Sequence, residues 1–263
     1  MNKYSVAALI VLFATAASAQ TEPDSWPDLK PQLFRDAVIS EDADFASLEA
    51  PPRAEDAALT PVTMTVRRPP GDTRSVTRLS LVIDENPVPL AGEFTLGPKS
   101  DVSSLSTRVR VNAYTHIRLI AQLSDGSLHM TKTYVKAAGG CSAPASKALD
   151  EANAALGKMK LRVIANAAPG RGDFVVMLRH PNSSGLQMDQ VTRLYTPARY
   201  VDHLAVFQGS DLIFSVEGGI SISEDPNFRF DFARNDARTL RVEANDIDNA
   251  RFNAEWPLER SGS

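Results

Sequence analysis

The amino-acid sequence predicts an all-β chain built as two β-sandwiches joined by a short helical linker. Three observations carry that expectation. Apolar residues alternate with polar ones through both halves, the pattern of strands with one buried face. Turn-forming residues interrupt the alternation at short intervals, as in a sandwich of many short strands. The only strong interior helical pattern, Ala145, Lys147, Ala148, Leu149, Ala152 and Leu156, lies between the halves, opened by Pro144 and stopped by Gly157.

Export comes first in chain order. Lys3 supplies a charged start, Val6 to Ala16 is an apolar run too short to span a bilayer, and Ala17-Ser18-Ala19 fits a small-x-small cleavage site. Residues 1–19 are therefore expected to be a signal peptide, with the mature chain beginning at Gln20 in the periplasm and no later membrane span. Residues 20–138 form the first expected sandwich domain, 139–158 a cysteine segment and linker helix, and 159–263 the second sandwich.

A short helix is expected around Leu29 to Ala37, then a proline-bounded irregular stretch leading into a strand at Val62 to Val66. Leu79, Leu81 and Ile83 alternate up to the turn Asp84-Glu85-Asn86-Pro87. Leu105, Thr107, Val109 and Val111 alternate with Arg108 and Arg110 on the opposite face. Ile117 to Leu123 runs into Ser124-Asp125-Gly126 and returns at Leu128 and Met130, a hairpin signal. In the second half the strand candidates are Met159 to Val163, Phe174 to Leu178, Tyr200 to Phe207, Leu212 to Val216, Phe228-Phe230-Phe232, Leu240 with Val242, and Phe252 with Trp256. The two sandwiches are expected to pack face to face, an intramolecular pairing of the halves.

Net charge of −4 and the absence of a basic stripe exclude a nucleic-acid partner. None of the four histidines pairs with another, or with the cysteine, at a metal-site spacing. No histidine or methionine follows the cysteine at the short spacing a blue-copper site needs; no metal and no cofactor are expected. Asp246, Asp248 and Asn249 suggest a calcium loop, but Ala250 stands at a ligand position, and a polar hairpin turn accounts for them better. Arg171-Gly172-Asp173 reads as turn composition.

Chemistry is concentrated in Ala137-Ala138-Gly139-Gly140-Cys141-Ser142-Ala143-Pro144, which holds the only cysteine. Gly139 and Gly140 let the backbone pass close to a partner, and small neighbours, Ser142 among them, leave the sulfur open. A helix N-terminus after Pro144, with Lys136 and Lys147 nearby, would lower the thiol pKa. An odd cysteine in an exported chain suits a mixed disulfide, an intermolecular bridge or a free reactive group. The expected site is thus an accessible Cys141, with Gly139, Gly140 and Ser142 as its arm; the competing reading is a buried, inert cysteine. Pairing with His180 as nucleophile and base finds no oxyanion motif in support, so no catalytic residue is assigned.

Gly139-Gly140-Cys141, with Ala50-Pro51, Ala54-Glu55-Asp56, Pro61-Val62, Asn86-Pro87 and the Arg108 to Leu123 strands, resembles SoxY, the sulfur-carrying subunit of the periplasmic thiosulfate-oxidising system. Arg179-His180-Pro181-Asn182, Gly185, Met188-Asp189 and Ser223 to Phe230 resemble its partner subunit SoxZ. The order is that of the fused SoxYZ-like carriers associated with quinoprotein alcohol dehydrogenases. Two features depart from the pattern: the cysteine is followed by Ser142-Ala143-Pro144 and a second domain, where SoxY ends in glycines, and Ala250 replaces a SoxZ glycine. The resemblance implies two immunoglobulin-like sandwiches and a non-enzymatic carrier. Cys141 would bind a small sulfur-containing intermediate covalently and present it to Sox-type enzymes or cytochromes, with a quinoprotein dehydrogenase as a further partner. The other function class is an immunoglobulin-like adaptor of such a dehydrogenase in which the cysteine is non-essential.

Overall fold

The structure, a computed structural model, describes residues 24–146, 154–165, 167–189 and 192–259. The expected signal peptide lies outside the described residues, as do residues 147–153, where most of the expected linker helix falls. Among the described residues no helix is long and apolar enough to cross a membrane.

The fold is all-β, with two immunoglobulin-like sandwich halves. After helix α1 (Trp26–Phe34), the N-terminal half contains β1 (Ile39–Glu41), β2 (Ala46–Glu49), β3 (Thr60–Val66), β4 (Val76–Ile83), β5 (Leu90–Leu96), β6 (Ser104–Val109), β7 (Thr115–Leu123) and β8 (Leu128–Val135). The C-terminal half contains β9 (Met159–Val163), β10 (Arg171–Leu178), β11 (Val201–Gln208), β12 (Asp211–Gly218), β13 (Asn227–Ala233), β14 (Thr239–Asp246) and β15 (Arg251–Pro257). Alternation is literal where it was read: Leu105, Thr107 and Val109 of β6 are buried, as are Phe228, Phe230 and Phe232 of β13. Val82 and Ile120, on the outward face of β4 and β7, are buried as well, because Trp26, Leu33 and Phe34 of α1 lie over them with Met130.

The halves do not meet face to face. They join edge to edge, so that both sheets run through the whole molecule. One sheet has nine strands in the order β1-β8-β7-β4-β5-β12-β11-β14-β15, the other six in the order β2-β3-β6-β13-β10-β9. At the seam β5 pairs antiparallel with β12, placing Phe94 opposite Val216 and Leu96 opposite Phe214. On the other layer β6 pairs with β13, placing Leu105 opposite Phe230. Face-to-face packing fails for a reason already present in the strand pattern. A strictly alternating strand has one apolar face, and each sheet spends it on the other sheet of its own sandwich, leaving polar faces such as that of Arg229 and Asp231 outside. What remained to be satisfied were the unpaired backbone groups of four edge strands, and pairing them closes the seam. Among the described residues the larger hydrophobic core therefore runs through both halves, from Phe45 to Leu258. Phe94 from the first half meets Phe228 from the second at 6.3 Å between ring centroids.

Candidate functional site

The cysteine segment leaves β8 and runs along this seam. Lys136 donates its N–H to Pro52 O (3.0 Å) and accepts from Ala54 N–H (3.1 Å), continuing the direction of β8 beside residues 52–54. Gly139, at φ +76°, turns the chain; its N–H bonds Asn112 O at 2.8 Å, and that of Gly140 bonds Val111 O at 3.0 Å. The left-handed conformation at Gly139 is one that a side chain resists. Gly140 is required for a different reason. A Cβ there would lie 2.1 Å from Ala57 O and 2.7 Å from Val111 O, inside fixed backbone.

The C-terminal half closes over the segment from the other side through residues 180–187. Ser184 Oγ donates to Cys141 O, and Gln187 Nε2 donates to Ala143 O at 2.9 Å. This loop is itself held from beneath. His180 Nδ1 accepts the Asn182 N–H (3.0 Å), so its Nε2 carries the proton, facing Asp246 Oδ2 at 3.3 Å. Arg199 Nε donates to the same oxygen at 3.0 Å. Asn182 then ties the loop to Ile222 O (3.3 Å) and accepts the N–H of Val201 (3.1 Å). With both ring nitrogens engaged, and burial the main cause holding its pKa below the ordinary value, His180 is a neutral structural group and no base for Cys141.

Cys141 itself is 0% exposed. The expectation of an open, acidified thiol is corrected here: burial pushes its pKa up, and the positive charge of Arg110 opposes this only in part. The reason is the small side chains that were expected to open the sulfur. The glycine beside the sulfur lets the segment lie against Ala57 and Val111, where a Cβ at Gly140 would meet their backbone oxygens at 2.1 and 2.7 Å. Of the expected arm, Gly140 is buried, Gly139 half-buried and Ser142 exposed, so the described segment surfaces one residue beyond the sulfur. Ser142 closes the turn, its N–H and Oγ both donating to Gly139 O at 3.2 Å. Lys136 is exposed and Lys147 lies outside the described residues.

Arg110 was placed by alternation on the polar face just past β6, yet it is 1% exposed. Its Nη1 donates to Gly140 O at 3.3 Å and its Nη2 to Asn182 O at 3.2 Å, so the guanidinium bridges the cysteine segment and the loop of the other half. Asn86, from the turn after β4, donates to Arg110 O (2.8 Å) and to Ser221 Oγ (2.9 Å), and Arg110 N–H reaches Ser221 O at 2.7 Å. In the sequence Asn86-Pro87 is legible as a turn and Asn182 as part of the Arg179-His180-Pro181-Asn182 motif, neither as a partner of Arg110. Ser184 and Gln187 carried no signal of their own, since their role depends on pairing across the seam.

The candidate calcium loop is a hairpin turn: Asp246 Oδ1 accepts the N–H of Asp248 and of Ala250 at 3.1 and 2.8 Å. Among the described residues Asp24, Asp84 and His116 bring three possible metal ligands within 4.8 Å of one another. Arg118 already bonds both carboxylates, Asp84 through Nε at 2.9 Å and Asp24 through Nη2 at 2.5 Å, which makes the group an ion-pair cluster.

The buried thiol carries a pH prediction. A thiol whose pKa is raised by folding stabilises the docked segment fully below the unfolded thiol pKa, about 8.5, and that contribution is lost as pH rises through the higher folded value. Alkylation of Cys141 by iodoacetamide is therefore expected to follow a pH profile displaced to higher pH than that of the same thiol in urea. A profile displaced to lower pH would contradict the burial.

Residues 30–141 match the family model of "Sulfur oxidation protein SoxY", and residues 163–257 that of "Sulphur oxidation protein SoxZ". No curated protein matches the chain. Among solved structures, the chain is similar to the sulfur carrier protein SoxY from Chlorobium limicola f thiosulfatophilum. That match has 23% identity and a TM-score of 0.36, covering 43% of this chain and 91% of that one. It is similar also to the superoxide reductase (neelaredoxin) from Ignicoccus hospitalis, at 14% identity and a TM-score of 0.31, covering 35% of this chain and 79% of that one.

Proposed function

On the premise that this polypeptide carries a SoxY match followed by a SoxZ match, we propose that it is a periplasmic sulfur-oxidation carrier that works through Cys141. The observation supporting this most directly is where the SoxY match ends: its last residue is Cys141, at the seam with the half that carries the SoxZ match. Residues 1–19 serve as the export signal, 20–138 and 159–263 as the two domains, and 139–158 as the cysteine segment and linker.

A carrier needs a thiol that can be loaded, and the docked segment defines what loading requires. The hydrogen bonds at Gly139 N, Gly140 N, Gly140 O, Cys141 O and Ala143 O must be released so that the sulfur can enter a partner's cleft. The neutral bonds are each of modest net worth, about 1 kcal/mol, and the charged one from Arg110 about 2 kcal/mol, so a docked and an extended segment can exchange without unfolding either half. Joining Cys141 Sγ to the sulfur of an incoming thiol-type donor forms one S–S bond and releases two electrons and two protons. A partner cytochrome accepts the electrons. Returning to the seam then shelters the adduct from water and stray thiols, consistent with a protein that needs no acid, base or metal of its own.

Burial also favours a second reading, in which Cys141 is an inert filler of the seam and the protein is an adaptor for a periplasmic quinoprotein dehydrogenase. One experiment separates them. Protein purified from its own periplasm without reductant is digested with trypsin, and the Ala137–Lys147 peptide is weighed before and after reduction. The carrier reading expects a reductant-removable mass on that peptide, and Cys141→Ser abolishing sulfur-dependent electron delivery while leaving the melting temperature unchanged. An unmodified peptide with a silent Cys141→Ser variant supports the adaptor.

A further inference from the structure

Among the described residues two arginines are fully buried, Arg110 and Arg118, each 1% exposed. Full burial of an arginine ordinarily requires a counter-ion, because an isolated charge loses its hydration and gains nothing in return. Arg118 has one: Asp84, itself buried, binds its Nε and Nη2, and Asp24 binds from the solvent side. Arg110 has none. Its two hydrogen bonds go to the neutral carbonyls of Gly140 and Asn182, and its Nε–H is buried without an acceptor. Among the described residues the acidic charges of Glu224 and Asp56 act on it only through space. Asp56 Oδ1 takes the N–H of Ala58 at 2.8 Å, and Glu224 Oε2 takes that of Ser146 at 3.1 Å.

The position of this charge says what could complete it. The guanidinium holds the carbonyl of Gly140, immediately before Cys141, and its field reaches the sulfur. The same guanidinium is anchored on Asn182, and its backbone is fixed by Ser221 and Asn86, so it keeps its place in the seam when the cysteine segment leaves. Resting on Cys141 as the attachment point, we propose that Arg110 is the charge-selecting residue of the carrier. Its guanidinium is the counter-charge for an anionic form of Cys141, the thiolate or a negatively charged sulfur adduct, when the segment is docked. A neutral adduct leaves Arg110 unpaired as it is now, and a cationic one places two like charges together in a low-dielectric seam. Docking would thereby distinguish a loaded acidic cargo from an unwanted neutral or basic group.

The test uses the full chain and three methanethiosulfonate reagents, which place a sulfonatoethyl, an ethyl or a trimethylammonioethyl group on Cys141 as a disulfide and release methanesulfinate. The readout is the rate at which dithiothreitol removes each group, divided by its rate from the free Ala137–Lys147 peptide carrying the same group, so that the reductant's own charge preference cancels. In the wild-type protein the anionic group is expected to be protected at least tenfold more than the cationic one, with the neutral group between them. In Arg110→Gln the ranking should vanish, and in Arg110→Lys it should survive. The wild-type ranking needs no variant, so a misfolded Arg110→Gln would not rescue the idea: equal protection of all three groups, or greater protection of the cationic one, overturns it. A native adduct on Cys141 without charge ranking removes the Arg110 assignment alone. Charge ranking without any native adduct removes the carrier reading and leaves an anion-selective thiol site.

Discussion

Gly140→Ala is expected to raise the alkylation rate of Cys141 in the folded protein by about a hundredfold. The added methyl would sit 2.1 Å from Ala57 O and 2.6 Å from Ala57 C, backbone atoms that cannot swing aside as a side chain could. Ala57 O is moreover held by the N–H of Val111 at 2.8 Å, and Val111 O by that of Gly140 at 3.0 Å, so the obstruction is part of the same hydrogen-bonded layer that docks the segment. Overpacking of this kind costs about 3 kcal/mol. If the undocked segment is the form that reacts, that cost appears as population of the open state, at a factor of ten for about 1.4 kcal/mol. Gly139→Ala is the contrasting variant. Gly139 has φ +76° but open space where a Cβ would go, with only Ser142 Oγ at 4.0 Å, so its cost is the left-handed backbone alone, about 1 kcal/mol and roughly fivefold in rate. Timed iodoacetamide quenching with intact-mass readout measures both. An unchanged rate in Gly140→Ala, with the melting temperature also unchanged, would show that the segment is not docked as described.

That pair of glycines also marks how far the sequence could be read. Both were expected to let the backbone turn or pass close to a partner, since a glycine announces that no Cβ is wanted without saying which of the two its position requires. Here one glycine is of each kind. The strands were legible wherever a strand has one apolar face and large residues to show it, as in Leu105 to Val109 or Phe228 to Phe232. Three were missed. β1 and β2 are short, and β5 opens Leu90-Ala91-Gly92-Glu93, whose small residues suppress the alternation. The missing β5 proved consequential, because it is the strand to which the second half is joined. Gly92 lies opposite Gly218 across that seam. Without β5 in view, face-to-face packing was the natural expectation. The site suffered in the same way: Cys141 and its glycines are contiguous and could be read, whereas Arg110, Asn182, Ser184 and Gln187 converge on them only through pairing between halves more than 40 residues apart in sequence for Ser184 and Gln187.

The same seam makes a prediction about the two halves as separate chains. Residues 24–146 and 154–259, produced apart, are each expected to be insoluble or aggregated, and produced together to copurify one to one. Cutting the chain exposes β5 and β6 on one side and β12 and β13 on the other, four long strands with unpaired N–H and C=O groups and no bulge, proline or inward charge at the register positions that join them. It also uncovers part of Phe94, Phe214, Phe228 and Phe230, all buried in the intact chain and in aromatic contact across or beside the seam. Full burial of one such side chain is worth about 1.5–3 kcal/mol, so losing even half of it at four positions removes several kcal/mol, comparable with the whole stability of an ordinary domain. Covalent linkage keeps the halves at high effective concentration, so the intact chain need never present those edges. Size-exclusion chromatography with light scattering on each fragment and on the coexpressed pair gives the answer. Two soluble monomers that melt cooperatively on their own and ignore each other would mean that each half completes its own core. The continuous sheets, and the docking of Cys141 between them, would then have to be abandoned.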